Sequence, residues 1–394
     1  MFGSQISTLA LPLLATVTIG ANAGEMATLY GLQYLPNLVI GLFAGAWVDR
    51  LRRRPVLITA NLGRGALLLM LPLATAGGWL RMELLYAVSV LMGTMTVFAD
   101  AADNAYLPTL VGREHLVEGN AKLAASGSAT GIAGPGLAGV LIDLLRAPTA
   151  IAVDGLSFLV AALGLSLIRK TEPAPRPAAE RAGIWVEIVE GLRTVYRNPV
   201  LRAFISATVT FDIFWNALFA LYFLYTTREF GLPATALGLV FAIGSASALL
   251  GALLTSRITR VFGVGPTIIG AQILLGLTVP LIALPRWLPG MALPLLVLAE
   301  FILSFVGTIS AINRGSLIQL ITPSQLLGRV WASRTFISLG IVPVGAALGG
   351  LLGGRIGVPA TVTLMAFGGL LSFPWLLFSP VRHIRDMPAP IDEP

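Results

Sequence analysis

Apolar residues run through this chain in blocks separated by short polar turns. Each block has about 20 residues, the length of helix that crosses a hydrocarbon core roughly 30 Å thick. The pattern predicts an all-α integral membrane protein with twelve transmembrane helices. They fall near 1–20, 27–48, 55–76, 84–106, 120–144, 149–168, 200–225, 234–255, 266–284, 291–312, 327–353 and 358–379. The fifth and eleventh are long and are expected to begin in the cytoplasmic interface.

Composition agrees with the pattern. Apolar residues make up 56% and charged residues 11%, against about 25% charged in soluble domains. The 394 residues would suit two or three soluble domains by length, but the apolar blocks overrule that reading. No cysteine is present, which excludes a disulfide framework, a thiol nucleophile and a thiolate metal site. The net charge of +7 is no sign of nucleic-acid binding, because the basic residues sit in short loops between apolar blocks. The two histidines, His115 and His383, are scattered in loops, so no metal site is expected. No phosphate-binding Gly-Lys loop and no nucleophile–base pair stands out, so neither an enzyme nor a cofactor is expected.

The distribution of Lys and Arg predicts orientation. If the turn at 49–54 is inside, the opposite loops hold only Arg81, Arg146, Arg228, Arg286 and Arg355. The other 21 of the 26 cationic residues lie in or near loops on the inner side. Both termini are therefore expected in the cytoplasm. No cleavable leader pattern precedes the first span. That span is barely long enough, and Met1 opens directly into apolar sequence, a shortfall that a start upstream of Met1 would explain.

The chain divides into two halves: an N-terminal six-helix bundle over 1–169, a linker over 170–199, a C-terminal six-helix bundle over 200–380, and a tail over 381–394. The linker opens Pro-rich, and Trp185, Ile188, Val189, Leu192, Val195 and Tyr196 then recur at helical spacing, as in a short interfacial helix. The halves repeat one another. Gly45 to Arg54 matches Gly251 to Arg260, Leu110 and Leu116 match Leu320 and Leu326, and Gly131 to Pro135 matches Gly340 to Pro343. Duplication of this kind yields two bundles that can open to either side in turn. The second copy has Thr255 where the first has Asp49, so a gating role for the turn is expected to be asymmetric.

The turn Gly45-Ala-Trp-Val-Asp49-Arg50-Leu-Arg52-Arg53-Arg54 joins the second and third spans. Its arginines cannot enter hydrocarbon, Gly45 permits close helix approach, and Asp49 can hold a guanidinium at a helix end. The G-x-x-x-D-R-x-x-R-R pattern resembles the signature loop of the major facilitator superfamily of secondary transporters. That resemblance implies a cytoplasmic gate built from Gly45, Asp49, Arg50, Arg53 and Arg54; the plainer reading is an ordinary positive-inside loop.

Span five carries Gly127, Gly131, Gly134, Pro135, Gly136 and Gly139. The stretch from Gly134 to Gly139 spells a dinucleotide-binding fingerprint, but no strand precedes it and Pro135 lies within a helix, so a nucleotide is not expected. Small residues at this spacing allow tight helix packing, and Pro135 adds a bend. The run also resembles the fifth-span motif of superfamily exporters, which is linked to antiport. Gly345, Gly349 and Gly353 repeat the device in span eleven. With Leu107-Pro108, Leu116 and Pro323-x-x-Leu326-x-Gly328-Arg329-Val330, the chain resembles the macrolide-efflux and siderophore-exporter branch.

Charges inside the spans are candidates for function, because they are costly there. Arg64 in span three and Asp100 in span four lie at similar depth and could form a buried ion pair, either as structural neutralisation or as a proton-sensitive switch. Asp103 is one turn from Asp100 on the same face. Asp212 and Glu300 fall mid-span in spans seven and ten, with no cation nearby in their own spans. Each could carry a proton or contact substrate, or be a neutral acid donating one hydrogen bond. Phe211, Phe214, Trp215, Phe219 and Tyr222 gather around Asp212; they could line an apolar cavity or face lipid. Asp143 and Asp154 are read as wet helix ends.

The resemblance implies a multi-pass protein of the bacterial inner membrane that acts as a monomer. It would export an amphipathic small molecule, drug-like or a siderophore, in exchange for protons. Its partners would be the lipid bilayer, the substrate and protons. An uptake symporter of the same fold and a non-transporting membrane partner are the alternatives.

Overall fold

The computed structural model describes residues 2–48, 51–111, 115–168 and 192–386. Among them only helices and turns occur. A chain that must satisfy every backbone N–H and C=O without water makes its hydrogen bonds within each segment, so apolar blocks become helices. In chain order these are α1 (Phe2–Leu13), α2 (Ala23–Val48), α3 (Arg53–Ala76) and α4 (Met82–Val111). The segment Leu116–Leu167 breaks at Arg146, whose φ of 67° is the one positive value at a non-glycine among the described residues. Its parts are α5 (116–145) and α6 (147–167). Then follow α7 (Pro199–Phe230), α8 (Ala234–Phe262), α9 (Val264–Thr278), α10 (Ala292–Ile321), α11 (Ser324–Ile356) and α12 (Val358–Gly368). Ten segments among the described residues are long and apolar enough to cross a membrane, with α5 and α6 counted together.

Local sequence explains several boundaries. Asn198 precedes Pro199 and caps α7, its side-chain oxygen accepting from the Val200 N–H at 2.9 Å and the Leu201 N–H at 3.3 Å. Gly231, at φ 60°, ends that helix. After Pro12 in α1, a wider π-helical turn over Leu14–Ile19 continues the span to Gly20. The helices outrun the apolar blocks: α10 extends to Ile321, well past the expected end at 312. Helical hydrogen bonding does not stop where hydropathy does.

The chain forms two compact units. The first lies within 1–181 and also takes in Pro233–Leu239, the opening of α8; the second lies within 182–232 and 240–394. In the first, α1 and α3 pack on the α5–α6 segment and α4 packs on α2 and α3. Its core includes Val48, Leu57, Ala60, Ala99, Ala102 and Tyr106. In the second, α7 packs on α11 and α12, and α9 on α10. Phe204, Ala207, Ile268, Leu317 and Val330 form its core, and Val195 is buried with them. Val195 comes from the helical stretch 192–197 of the expected linker; the linker residues 170–191 and the tail beyond 386 lie outside the described residues.

Small residues set the closest approaches. A Cβ on Gly349 of α11 would lie 2.2 Å from the Ala217 carbonyl oxygen of α7, and one on Gly345 would lie 2.8 Å from that of Ile213. Backbone cannot yield as a flexible side chain can. Gly349→Ala is therefore expected to force α7 and α11 apart and to lower stability by about 1–3 kcal/mol, read as a fall in melting temperature of the purified protein. An unchanged melting temperature would contradict this packing. In the first unit, Gly139 and Pro135 of α5 meet the opening of α8 in the same way: a Cβ on Gly139 would lie 2.4 Å from the Ala234 carbonyl oxygen. A Cβ on Gly134 would press on Gln5 of α1, whereas one on Gly131 would meet nothing within 4 Å.

Candidate functional site

Two polar groups of side chains are buried in the helices, one in each unit. In the first unit α6 carries Asp154, which is 0% exposed. It was expected at a wet helix end and is instead fully enclosed. Ser7 of α1 donates a short hydrogen bond to its Oδ2, and Ser157 donates to Oδ1 at 3.1 Å. Counting residues from a helix end misjudged its surroundings, because α1 packs across it: a Cβ on Gly3 would fall 2.2 Å from Asp154 Oδ1. Asp143, in contrast, accepts from the Ala234 N–H at 3.1 Å and the Thr235 N–H at 2.8 Å, capping the start of α8 within the same unit.

Arg64 of α3 is half-buried. It donates to Asn61 Oδ1 at 3.1 Å and lies 4.6 Å from the centroid of the Phe158 ring. The carboxylates whose fields reach it are Asp100, Asp154 and Asp103, in that order. Asp100 and Asp103 sit on exposed positions of α4. Of the signature turn, Asp49 and Arg50 lie outside the described residues, and Gly45 falls within α2. Arg53 opens α3. Arg54 reaches the end of α6, its Nε donating to the Leu165 carbonyl at 2.9 Å and its guanidinium also to that of Ser166. A guanidinium on the last carbonyls of a helix satisfies orphan acceptors and opposes the negative end of the helix dipole.

The second unit holds the richer constellation. Along α7, Phe211 stacks on Trp215 with centroids 6.2 Å apart, Trp215 on Phe219 at 5.6 Å, and Phe219 on Tyr222 at 5.6 Å. Phe241 of α8 meets Phe219 at 6.4 Å. Phe211, Trp215 and Phe219 are half-buried and Tyr222 is buried. Phe214 leaves this row and packs against Gly368 of α12. Glu300 of α10 accepts from Ser304 at 2.9 Å and faces α8, where a Cβ on Gly244 would lie 2.7 Å from it. Its field reaches Tyr222.

Asp212 has no cation near it along α7, whose arginines are Arg202 and Arg228 at the two ends, but two act on it from other helices. The charges acting on it are those of Arg314 on α10 and Arg334 on α11. Arg314 is 7% exposed. It makes a short hydrogen bond to Gln272 of α9 and donates to Thr208 Oγ1 at 3.3 Å. Thr208 is one turn before Asp212 on α7. Gln272 in turn donates to Ser372 Oγ at 2.6 Å. One buried polar chain thus ties α7, α10, α9 and the turn after α12. Arg334 lies 5.0 Å from the Trp331 ring centroid. Sequence reading missed Arg314 because it falls just past the apolar block ending at 312, where a cation looks like part of a loop. No group of three or more metal-ligating side chains occurs among the described residues.

Stacked aromatics beside an acid that is set among arginines make a surface for a molecule with an apolar body and a polar group. A family profile for the Major Facilitator Superfamily matches residues 1–337. The chain belongs to that superfamily. It is 31% identical over 348 residues to the multidrug efflux pump Tap of Mycolicibacterium fortuitum, covering 86% of this chain and 82% of that one. To Tap of Mycobacterium tuberculosis it is 29% identical over 378 residues, covering 92% and 87%. Among solved structures it resembles a bacterial homologue of the iron transporter ferroportin in an inward-facing state (TM-score 0.73, 18% identity, 95% and 94% coverage). It also resembles the nucleoside transporter NupG (TM-score 0.68, 14% identity, 95% and 98% coverage). At those identities the likeness is one of fold. This superfamily member is a multi-pass membrane transporter rather than an enzyme, and its relatives include efflux pumps.

Proposed function

We propose that the protein exports an amphipathic small molecule across the bacterial inner membrane in exchange for protons, as a monomer with both termini in the cytoplasm. The aromatic row on α7, with Asp212 in its midst, carries this reading: the rings offer apolar surface to the solute and the carboxyl offers a proton site beside it. Glu300, facing α8 near Tyr222, is the second candidate for the proton, followed by Asp100 and Asp103. The likeness to Tap supports export over uptake. In everted vesicles, an imposed proton gradient (acid inside) should drive accumulation of a fluorescent amphipathic dye, and collapsing the gradient should release it. Dye movement only in the direction of the proton flow would instead mean symport.

The signature turn supplies the gate in this reading. Asp49→Asn is expected to reduce that flux strongly while leaving the amount of protein in the membrane unchanged. Flux equal to that of the unmodified protein would remove the turn from the mechanism.

A further inference from the structure

The second copy of the signature turn, at the end of α8, has no part in the transport reading above. In the second unit it borders a cavity of about 610 Å³ between the last turns of α8, the C-terminal third of α10 and the tail after α12. The tail is fixed there by backbone pairing: the Val264 N–H donates to the Arg385 carbonyl at 2.9 Å and the Gly265 N–H to that of Ile384 at 2.7 Å. A Cβ at Gly265 would lie 2.0 Å from the Val381 carbonyl oxygen, so the tail can come this close only because that residue is glycine. This pairing brings Arg385 and Asp386 to the wall of the cavity, which Arg260 also lines.

The cavity is amphipathic. Thr255, which replaces the acid of the first copy, lies on its wall with Ser256, Thr259 and Ser316. Buried Asn313 accepts from Thr259 at 2.9 Å, which fixes the polar floor. The wall also includes Val261 and Phe262, which are 76% and 65% exposed. Two guanidiniums against one carboxylate leave a positive excess. The Thr255 and Thr259 hydroxyls, which already donate to the Gly251 carbonyl and to Asn313, offer acceptor lone pairs, and Ser256 and Ser316 add further hydroxyls. The geometry points to a binding site for an anionic phospholipid: phosphate on Arg260 and Arg385, glycerol or headgroup hydroxyls on the Ser and Thr side chains, and acyl chains over Val261 and Phe262. Guanidinium pairs match phosphate oxygens, and basic pockets between transmembrane helices at the membrane surface take phosphorylated headgroups. Loss of the acid at position 255 fits this role, since a carboxylate on the wall would repel the phosphate.

The test uses the full-length protein purified in a neutral detergent, titrated with dioctanoyl phosphatidylglycerol and followed by native mass spectrometry and by melting temperature. Saturable binding of one lipid is expected, with dioctanoyl phosphatidylcholine binding at least about tenfold more weakly. The double variant Arg260→Gln/Arg385→Gln should weaken phosphatidylglycerol binding by about tenfold or more. Asp386→Asn should strengthen it, an opposite sign that a merely misfolded variant would not give. Ser256→Trp, which fills the cavity without changing charge, should abolish binding, while Arg202→Gln, an exposed arginine outside the cavity, should leave it unchanged. Equal binding of phosphatidylcholine, full occupancy by inorganic phosphate at the same concentration, or an equal loss in Arg202→Gln would overturn the assignment. Vesicle dye flux tests the transport reading separately.

Discussion

Replacing Asp212 with asparagine should abolish proton-driven export while leaving substrate binding intact and indifferent to pH. The amide keeps the size of the side chain and its hydrogen-bonding capacity, yet it can neither gain nor lose a proton. If the proton is carried at this position, binding of protons and of substrate becomes uncoupled, and the gradient no longer has any means of favouring one state over the other. The aromatic row remains, so the apolar part of the substrate is still held. Tryptophan fluorescence quenching, with Trp215 in the row, measures binding, and dye flux in everted vesicles measures coupling. Glu300→Gln is the matched comparison within the same unit. Normal export by both amides would place the proton elsewhere, and Asp100 and Asp103 would be the next residues to change.

The largest effect on stability is expected at Arg314. Arg314→Leu leaves Gln272 Oε1 and the Thr208 hydroxyl without their donor in the interior of the second unit. A buried acceptor left unsatisfied costs about 1–3 kcal/mol, so a loss near the top of that range is expected as a lowered melting temperature. The variant also removes one of the two cations acting on Asp212. Combining Arg314→Leu with Asp212→Asn should therefore cost less than the two changes taken singly, by about 0.5 kcal/mol or more. Strict additivity would mean that the two residues do not act on each other.

The class of protein was legible from the apolar blocks alone, because helix length is tied to bilayer thickness and little else produces such runs. The family was legible from the turn beginning at Gly45, where glycine, an acid and arginines stand at fixed spacing. The surroundings of single charges were much less so. Asp154 is a few residues from the start of α6, yet α1 covers it through Gly3 and Ser7; what encloses a residue depends on the neighbouring helix. Arg314 shows the converse. It lies past the end of an apolar block, and only packing against α9 and α7 makes it an interior residue. No cation stands near Asp212 along α7; the cations acting on it belong to helices about 100 residues further along the chain, and pairing at that separation leaves no local pattern to read.

Many hydroxyls in these helices return to their own backbone. Thr16, Thr75, Thr94, Thr226 and Thr278 each donate to the carbonyl four residues earlier. A hydroxyl so engaged offers a passing solute an acceptor lone pair and no free proton. Counting polar residues along a helix therefore overstates how wet a permeation route is. Among the described residues of the second unit, the buried or half-buried polar side chains that reach beyond their own helix include Arg314, Gln272 and Asn313. Selectivity in such a protein would then be set by the shape of the solute's apolar body, with a handful of charges deciding only which way round it lies.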